Sequence, residues 1–112
     1  MSDQRGSEYL GKVVLAGLTY YDENGRMLEQ KQIHGVIETV TGEGINLRLS
    51  NGSEFLLPPD PSFLQSAPLG EYLEHSSGVK IVNPTFITTW EFTRFIKNGE
   101  ERWHAKYRPM KF

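Results

Sequence analysis

The sequence predicts an all-β domain, and three observations carry that prediction. Asn-Gly pairs stand between extended runs at Asn24-Gly25, Asn51-Gly52 and Asn98-Gly99. Asn and Gly accept the positive φ angles of tight hairpins, so each pair marks an antiparallel turn. Several runs alternate apolar and polar residues with the period of a strand, and no window of eleven or more residues carries a helical stripe. Short strands punctuated this often read as a barrel or sandwich.

Taken in order, residues 1–8 are a polar, flexible start. "KVVLAGLTYY" is apolar on both faces, as a strand wrapped into a closed or strongly bent sheet must be, and Gly17 gives it room to bend. In "LEQKQIHGVIETV" the apolar positions begin at Ile33 and change parity between Gly35 and Val36, which predicts a bulge near Gly35. "GINLRLS" sends Ile45, Leu47 and Leu49 to one face and Asn46, Arg48 and Ser50 to the other. In "FITTWEF", Phe86, Thr88, Trp90 and Phe92 share a face.

Between these runs lies "FLLPPDPSFLQSAPLGEY", residues 55–72. Pro58, Pro59 and Pro61 lack amide donors, so the preceding strand ends near Leu57. Asp60 is placed to cap a helical turn that has Pro61 at its first position and no room beyond Pro68. The segment carries Phe63 and Leu64, and the chain on either side is of marginal size for a domain, so it reads as a 3₁₀ strap across one barrel rather than a linker. A proline-rich ligand for another domain is the lesser alternative.

Charge is uneven. Residues 1–93 hold six Lys/Arg against twelve Asp/Glu, whereas residues 94–112 hold six against two. If Asn98-Gly99 closes a hairpin, Arg102, His104, Lys106 and Arg108 share one face of its second strand and Trp103, Ala105 and Tyr107 the other. A basic ribbon with aromatics suits a nucleic-acid backbone. The plainer reading packs Trp103 and Tyr107 on the barrel and leaves the charges in water. A third makes "EFTRFIKNG" a short helix ending at Gly99.

The chain of 112 residues has no cysteine, which excludes disulfides and thiolate chemistry and fits the cytoplasm. Its longest early apolar run, Val13 to Leu18, is too short for a signal peptide or a membrane span. His34, His75 and His104 stand at no metal-ligand spacing. No serine lies in a nucleophile elbow, and "TGEG" lacks the lysine of a phosphate loop. His34, beside a carboxylate such as Glu38 or Asp22, is the one candidate for a small hydrolase-like enzyme, and that reading requires a cleft around it.

The segments "GKVVLAGLTYYDENG", "QIHG", "GINLRLSNGSEFLLPPD", "PLGEY" and "NPTFITTWEF" together resemble a group of small bacterial proteins with no assigned activity. That resemblance spans about residues 9–92 and implies no site residues. In strand number the body also looks like the SH3-like or Sm-like barrels, a fold that hosts many functions. The expectation is therefore a small antiparallel SH3-like or Sm-like barrel over residues 9–93. It carries a strap and, over residues 94–112, a basic extension packed on or beside it as a hairpin or short helix. The expected function is non-catalytic binding of a protein partner or of a second copy, without cofactor, metal or membrane. Tyr20, Tyr21, Trp90, Arg102, Trp103, Lys106, Tyr107 and Arg108 form the candidate surface. Nucleic-acid binding through the basic segment is the alternative.

Overall fold

The computed structural model describes residues 8–109. In chain order the strands are β1 (Val13–Tyr21), β2 (Met27–Thr41), β3 (Gly44–Leu49), β4 (Glu54–Leu57), β5 (Gln65–Ser66), β6 (Glu71–Glu74), β7 (Val79–Val82), β8 (Phe86–Lys97) and β9 (Glu100–Tyr107). One 3₁₀ turn, Pro61–Phe63, stands between β4 and β5, and the described residues contain no α-helix. Most of the proposed flexible start, residues 1–7, lies outside the described residues; Tyr9 already packs on Phe86 with ring centroids 5.6 Å apart.

The main sheet runs β4-β3-β2-β1-β8-β5, with β9 added to β8, and curls strongly into a half-barrel. β6 and β7 form a separate hairpin. The all-β expectation holds, but a wholly antiparallel sheet does not. β1 and β8 pair in parallel from Val14↔Phe86 to Tyr21↔Thr93. Turn chemistry reports only neighbours joined by short loops, which are antiparallel; a parallel pair needs a long crossover, here everything from β2 to β7.

Strand β1 is buried on both faces for two different reasons. Val14, Ala16 and Leu18 point into the half-barrel, where Ile37, Ile45, Leu47, Leu57, Leu64 and Trp90 complete the core. Leu15 points outward, yet Ile87 beside it and Ile81 from the β6–β7 hairpin cover it in a second, smaller cluster. Fully burying each large aliphatic side chain contributes roughly 1.5–3 kcal/mol, so the inner cluster dominates stability.

The parity change in β2 falls three residues later than expected. Pairing with β1 runs unbroken through Gly35, whereas pairing with β3 shifts between Ile37 and Thr39. The bulge therefore sits at Glu38, and Val36 faces solvent. Gly35 is fixed by close approach instead: a Cβ there would lie 2.7 Å from the Arg48 carbonyl oxygen. Gly17 produces no break in pairing with either neighbour, and a Cβ there would meet only Thr89, at 3.6 Å. Its effect is to leave space rather than to bend the strand.

The strap forms as its sequence implies. Asp60 accepts hydrogen bonds from the Ser62 amide at 3.0 Å and the Ser62 hydroxyl at 2.7 Å, while Pro61 opens the turn. Phe63 is thereby turned onto Trp90 and Tyr107, with centroids 5.1 and 4.6 Å away, and Leu64 enters the core. Thr88 Oγ1 donates to the Phe63 carbonyl at 2.8 Å and accepts from Trp90 Nε1 at 2.9 Å, which locks strap to sheet.

At the C-terminal end the hairpin excludes the helix. Asn98 and Gly99 both take positive φ, 54° and 76°, so a two-residue turn joins Lys97 to Glu100. β8 runs without interruption through Thr93 and Arg94, so the basic segment begins in mid-strand. It is continuous with the sheet rather than appended to it.

Candidate functional site

Two surfaces concentrate chemistry, and the β8–β9 hairpin is the first. The pairing Trp90↔Tyr107 to Lys97↔Glu100 puts Trp103, Ala105 and Tyr107 on the inner face and Arg102, His104, Lys106 and Arg108 on the outer. The aromatics are used in packing. Tyr20 stacks on Phe92 at 5.0 Å and meets the edge of Trp103 at 5.5 Å, while Tyr107 lies between Phe63 and Trp90. Burial, with Glu29 nearby, pushes the Tyr20 phenol above its ordinary range, and burial alone raises Tyr107.

The eight candidate surface residues therefore separate into three groups. Trp90, at 4% exposure, belongs to the core and is withdrawn from the surface. Tyr20, Trp103 and Tyr107 rim the inner face, with Trp103 still 40% exposed. Arg102, Lys106 and Arg108 face outward, as does Tyr21 at the end of β1. Arg102 pairs with Glu100 at 2.6 Å and Arg108 with Glu91 at 3.0 Å. Arg94, opposite Trp103, bridges to Glu23 at 3.1 Å and holds that carboxyl below its ordinary range.

The outward edge of β9 is unpaired among the described residues. The Arg108 amide donates to the Thr89 carbonyl at 2.9 Å, which fixes the phase of the antiparallel ladder. Hydrogen-bonded and non-hydrogen-bonded pairs alternate, so Arg102, His104 and Lys106 turn their amides toward β8. Glu101, Trp103, Ala105 and Tyr107 turn theirs outward. Near the tip, Phe95, Ile96 and Trp103 add exposed apolar surface.

The second surface is the convex side of β1, β2 and β8, beneath the β6–β7 turn. His34 Nδ1 lies 2.5 Å from Glu74 Oε2, and Ser77 Oγ donates to Glu74 Oε1 at 2.6 Å. The carboxylate beside His34 is thus Glu74, which is buried. Glu38 pairs instead with Arg48, and Asp22 caps its own turn through the Asn24 and Arg26 amides at 2.9 Å each. Ser77 contacts the carboxylate and not the imidazole, so the three residues are arranged as a tie between hairpin and sheet. Gln32 adds two more ties: its Oε1 accepts from the His75 amide at 2.7 Å and its amide donates to Ser76 Oγ at 3.1 Å.

Next to these ties a cavity of about 330 Å³ opens, lined by Leu15, Gly17, Thr19, Gln30, Gln32 and Thr89, among others. Sequence reasoning missed it. Its walls come from three sheet strands and a turn distant in sequence, and only Gly17, a small residue in an apolar run, signalled spare room. No cluster of three or more His, Asp or Glu that could hold a metal occurs among the described residues.

Comparison with protein-family models, curated proteins and solved structures gives no match for this chain. Its function has to be argued from these two surfaces.

Proposed function

We propose that this chain is a non-catalytic binding module that takes an extended segment of another protein onto the free edge of β9. The observation that carries the reading is the edge itself: an eight-residue strand with four outward-facing amides in phase and no neighbour among the described residues. Unpaired edge groups are templates for an added strand, with backbone bonds giving affinity and alternate side chains giving specificity.

The side chains of the edge set the chemistry of the occupant. Residues 94–109 hold five Lys/Arg against two Glu, and the outer face of β9, continued by Arg108 just past it, carries Arg102, His104 and Lys106 beside a single β9 carboxylate, Glu100. A complementary strand presents Asp or Glu on that face and apolar residues toward Trp103 and Tyr107. The same array disfavours a second copy of the chain, because antiparallel self-pairing sets basic side chains against basic ones. It is also what favours nucleic acid as the competing reading. The finer fold assignment belongs with this proposal: the curled sheet is an opened variant of the SH3-like or Sm-like barrel. Its supports are the strong curl and the single-turn strap before β5.

The test is fluorescence anisotropy with two labelled ten-residue peptides, Glu-Val and Lys-Val repeats, and a single-stranded oligonucleotide, at about 50 and 200 mM salt. Saturable binding of the acidic peptide alone, lost in Ala105→Pro, supports the reading. Ala105 points its amide outward, so proline there blocks the edge without removing a ladder bond. Salt-sensitive oligonucleotide binding without peptide binding transfers the site to nucleic acid, and equal binding of both peptides removes the proposed specificity.

A further inference from the structure

The cavity on the convex face is independent of the β9 edge. It lies between the outer faces of β1, β2 and β8 and the turn that joins β6 to β7, with His75 and Ser76 at its margin. Its volume, about 330 Å³, falls at the small end of the range for ligand pockets, roughly 300–1,000 Å³.

The floor and the walls differ in chemistry. Leu15, Gly17 and Ile87 make an apolar floor, and the missing side chain of Gly17 lets a flat molecule approach the strand. The polar side chains around it are the hydroxyls and carboxamides of Thr19, Gln30, Gln32, Ser76 and Thr89, able both to donate and to accept, with the exposed His75 imidazole at the rim. No carboxylate lines the cavity. Lys31 borders it, but its ammonium lies over the Tyr20 ring, 5.4 Å from the centroid. A cation would give up its hydration here with no carboxylate in the lining, and an anion with the Lys31 ammonium turned to the Tyr20 ring, whereas a neutral polar ligand would exchange water for amides and hydroxyls. No Phe, Tyr or Trp side chain lines the site, so recognition rests on apolar contact with the floor and hydrogen bonds at the edge.

The floor also holds an unpaired group. Thr89 Oγ1 is buried with no hydrogen-bond partner among the described residues, and it lies beside the empty position over Gly17. A rotation about χ1 would turn that hydroxyl toward a molecule seated on Gly17 and give it the partner it lacks.

We propose that this cavity binds a neutral molecule of about one ring, with an apolar face laid on Leu15, Gly17 and Ile87 and hydroxyl or carboxamide groups toward Gln30, Gln32 and Thr89. A monosaccharide and a base- or nicotinamide-type ring share this chemistry.

The experiment is methyl NMR of the full chain, following Leu15, Ile87, Thr19 and Thr89 during titration to 20 mM with methyl glucoside, uracil or nicotinamide. Benzoate and tetramethylammonium are the charged controls. The expected result is a saturable shift of these methyls with at least one neutral probe and none with the controls; which probe binds separates a sugar from a heterocyclic amide. Gly17→Val fills the floor and should abolish the shift. Gln30→Leu, at an exposed position where folding is not at risk, should weaken binding about tenfold while leaving the apolar floor intact. The proposal is overturned if no neutral probe gives a saturable shift. It is equally overturned if Gln30→Leu binds as tightly as the parent, or if the charged controls bind as well as the neutral probes.

Discussion

Thr88 and Thr89 are neighbours on β8, point to opposite faces, and should respond in opposite directions to the same substitution. Thr88 is fully buried; it donates to the Phe63 carbonyl and accepts from Trp90 Nε1. Thr88→Val deletes both bonds and strands two groups that lie on the strap–sheet seam. At about 0.5–1.5 kcal/mol net per bond, with a further penalty for each unsatisfied buried partner, the loss is about 2–4 kcal/mol. Thr89 Oγ1 is buried and unpartnered, so Thr89→Val removes a desolvation cost at nearly constant volume and should stabilise by about 1 kcal/mol. Valine and threonine are both β-branched, which holds strand propensity nearly equal in the two variants. Urea unfolding followed by tryptophan fluorescence, with the slope shared among the three proteins, reads the difference. The reasoning is refuted if Thr88→Val costs under about 0.5 kcal/mol, or if Thr89→Val destabilises by about 1 kcal/mol or more.

Other outcomes follow from the same geometry. Gly35→Ala sets a Cβ 2.7 Å from the Arg48 carbonyl, and overpacking against backbone should cost about 1–3 kcal/mol in the same urea assay. Glu74→Gln keeps shape but removes the charge that accepts from His34 and Ser77, so faster hydrogen exchange should appear in β6 and β7 while β1 and β8 remain protected. Asp22, Glu23, Glu38 and Asp60 are all held below their ordinary ranges, by backbone bonds from Arg26 and Asn24, by Arg94, by Arg48 and by Ser62 respectively. Their stabilisation is present above the unfolded-state values, about pH 4, and is lost as pH falls through the lower folded-state ones. Urea midpoints should therefore drop on the acid side, and less so in high salt. Tyr20 and Tyr107 are raised, so the opposite sign holds: absorbance titration should show them ionising after exposed tyrosines, with stability lost as pH climbs through their folded-state values.

Local chemistry explains which features were legible in the sequence. Asn98-Gly99 and the Asp60-Pro61 cap depend on a few adjacent residues whose backbone preferences dominate, so the hairpin and strap could be read directly. The inner face of β3 was legible because that strand is buried on one side only, leaving a clean alternation at Ile45, Leu47 and Leu49; in β8 the alternation at Thr88 and Trp90 was legible even though Ile87 is covered on the opposite face. β1 was ambiguous because its outer face is covered by Ile81, a residue distant in sequence. The parallel pairing of β1 with β8, the Glu74 partner of His34 and the cavity over Gly17 share that origin: each is made by segments that no turn signal connects. In β2 the parity argument found that a bulge was needed but misplaced it, since Gly35 attracts attention and Glu38 does not.

The central claim, that the β9 edge is a docking strand, is tested most directly by residue-resolved hydrogen exchange of β9 with and without saturating Glu-Val peptide. Free protein should show Arg102, His104 and Lys106 protected by β8, with Glu101, Trp103, Ala105 and Tyr107 exchanging quickly. Bound protein should gain protection at those four alternate residues. Protection unchanged at saturation, or gained elsewhere on the sheet while those amides still exchange quickly, would contradict the account.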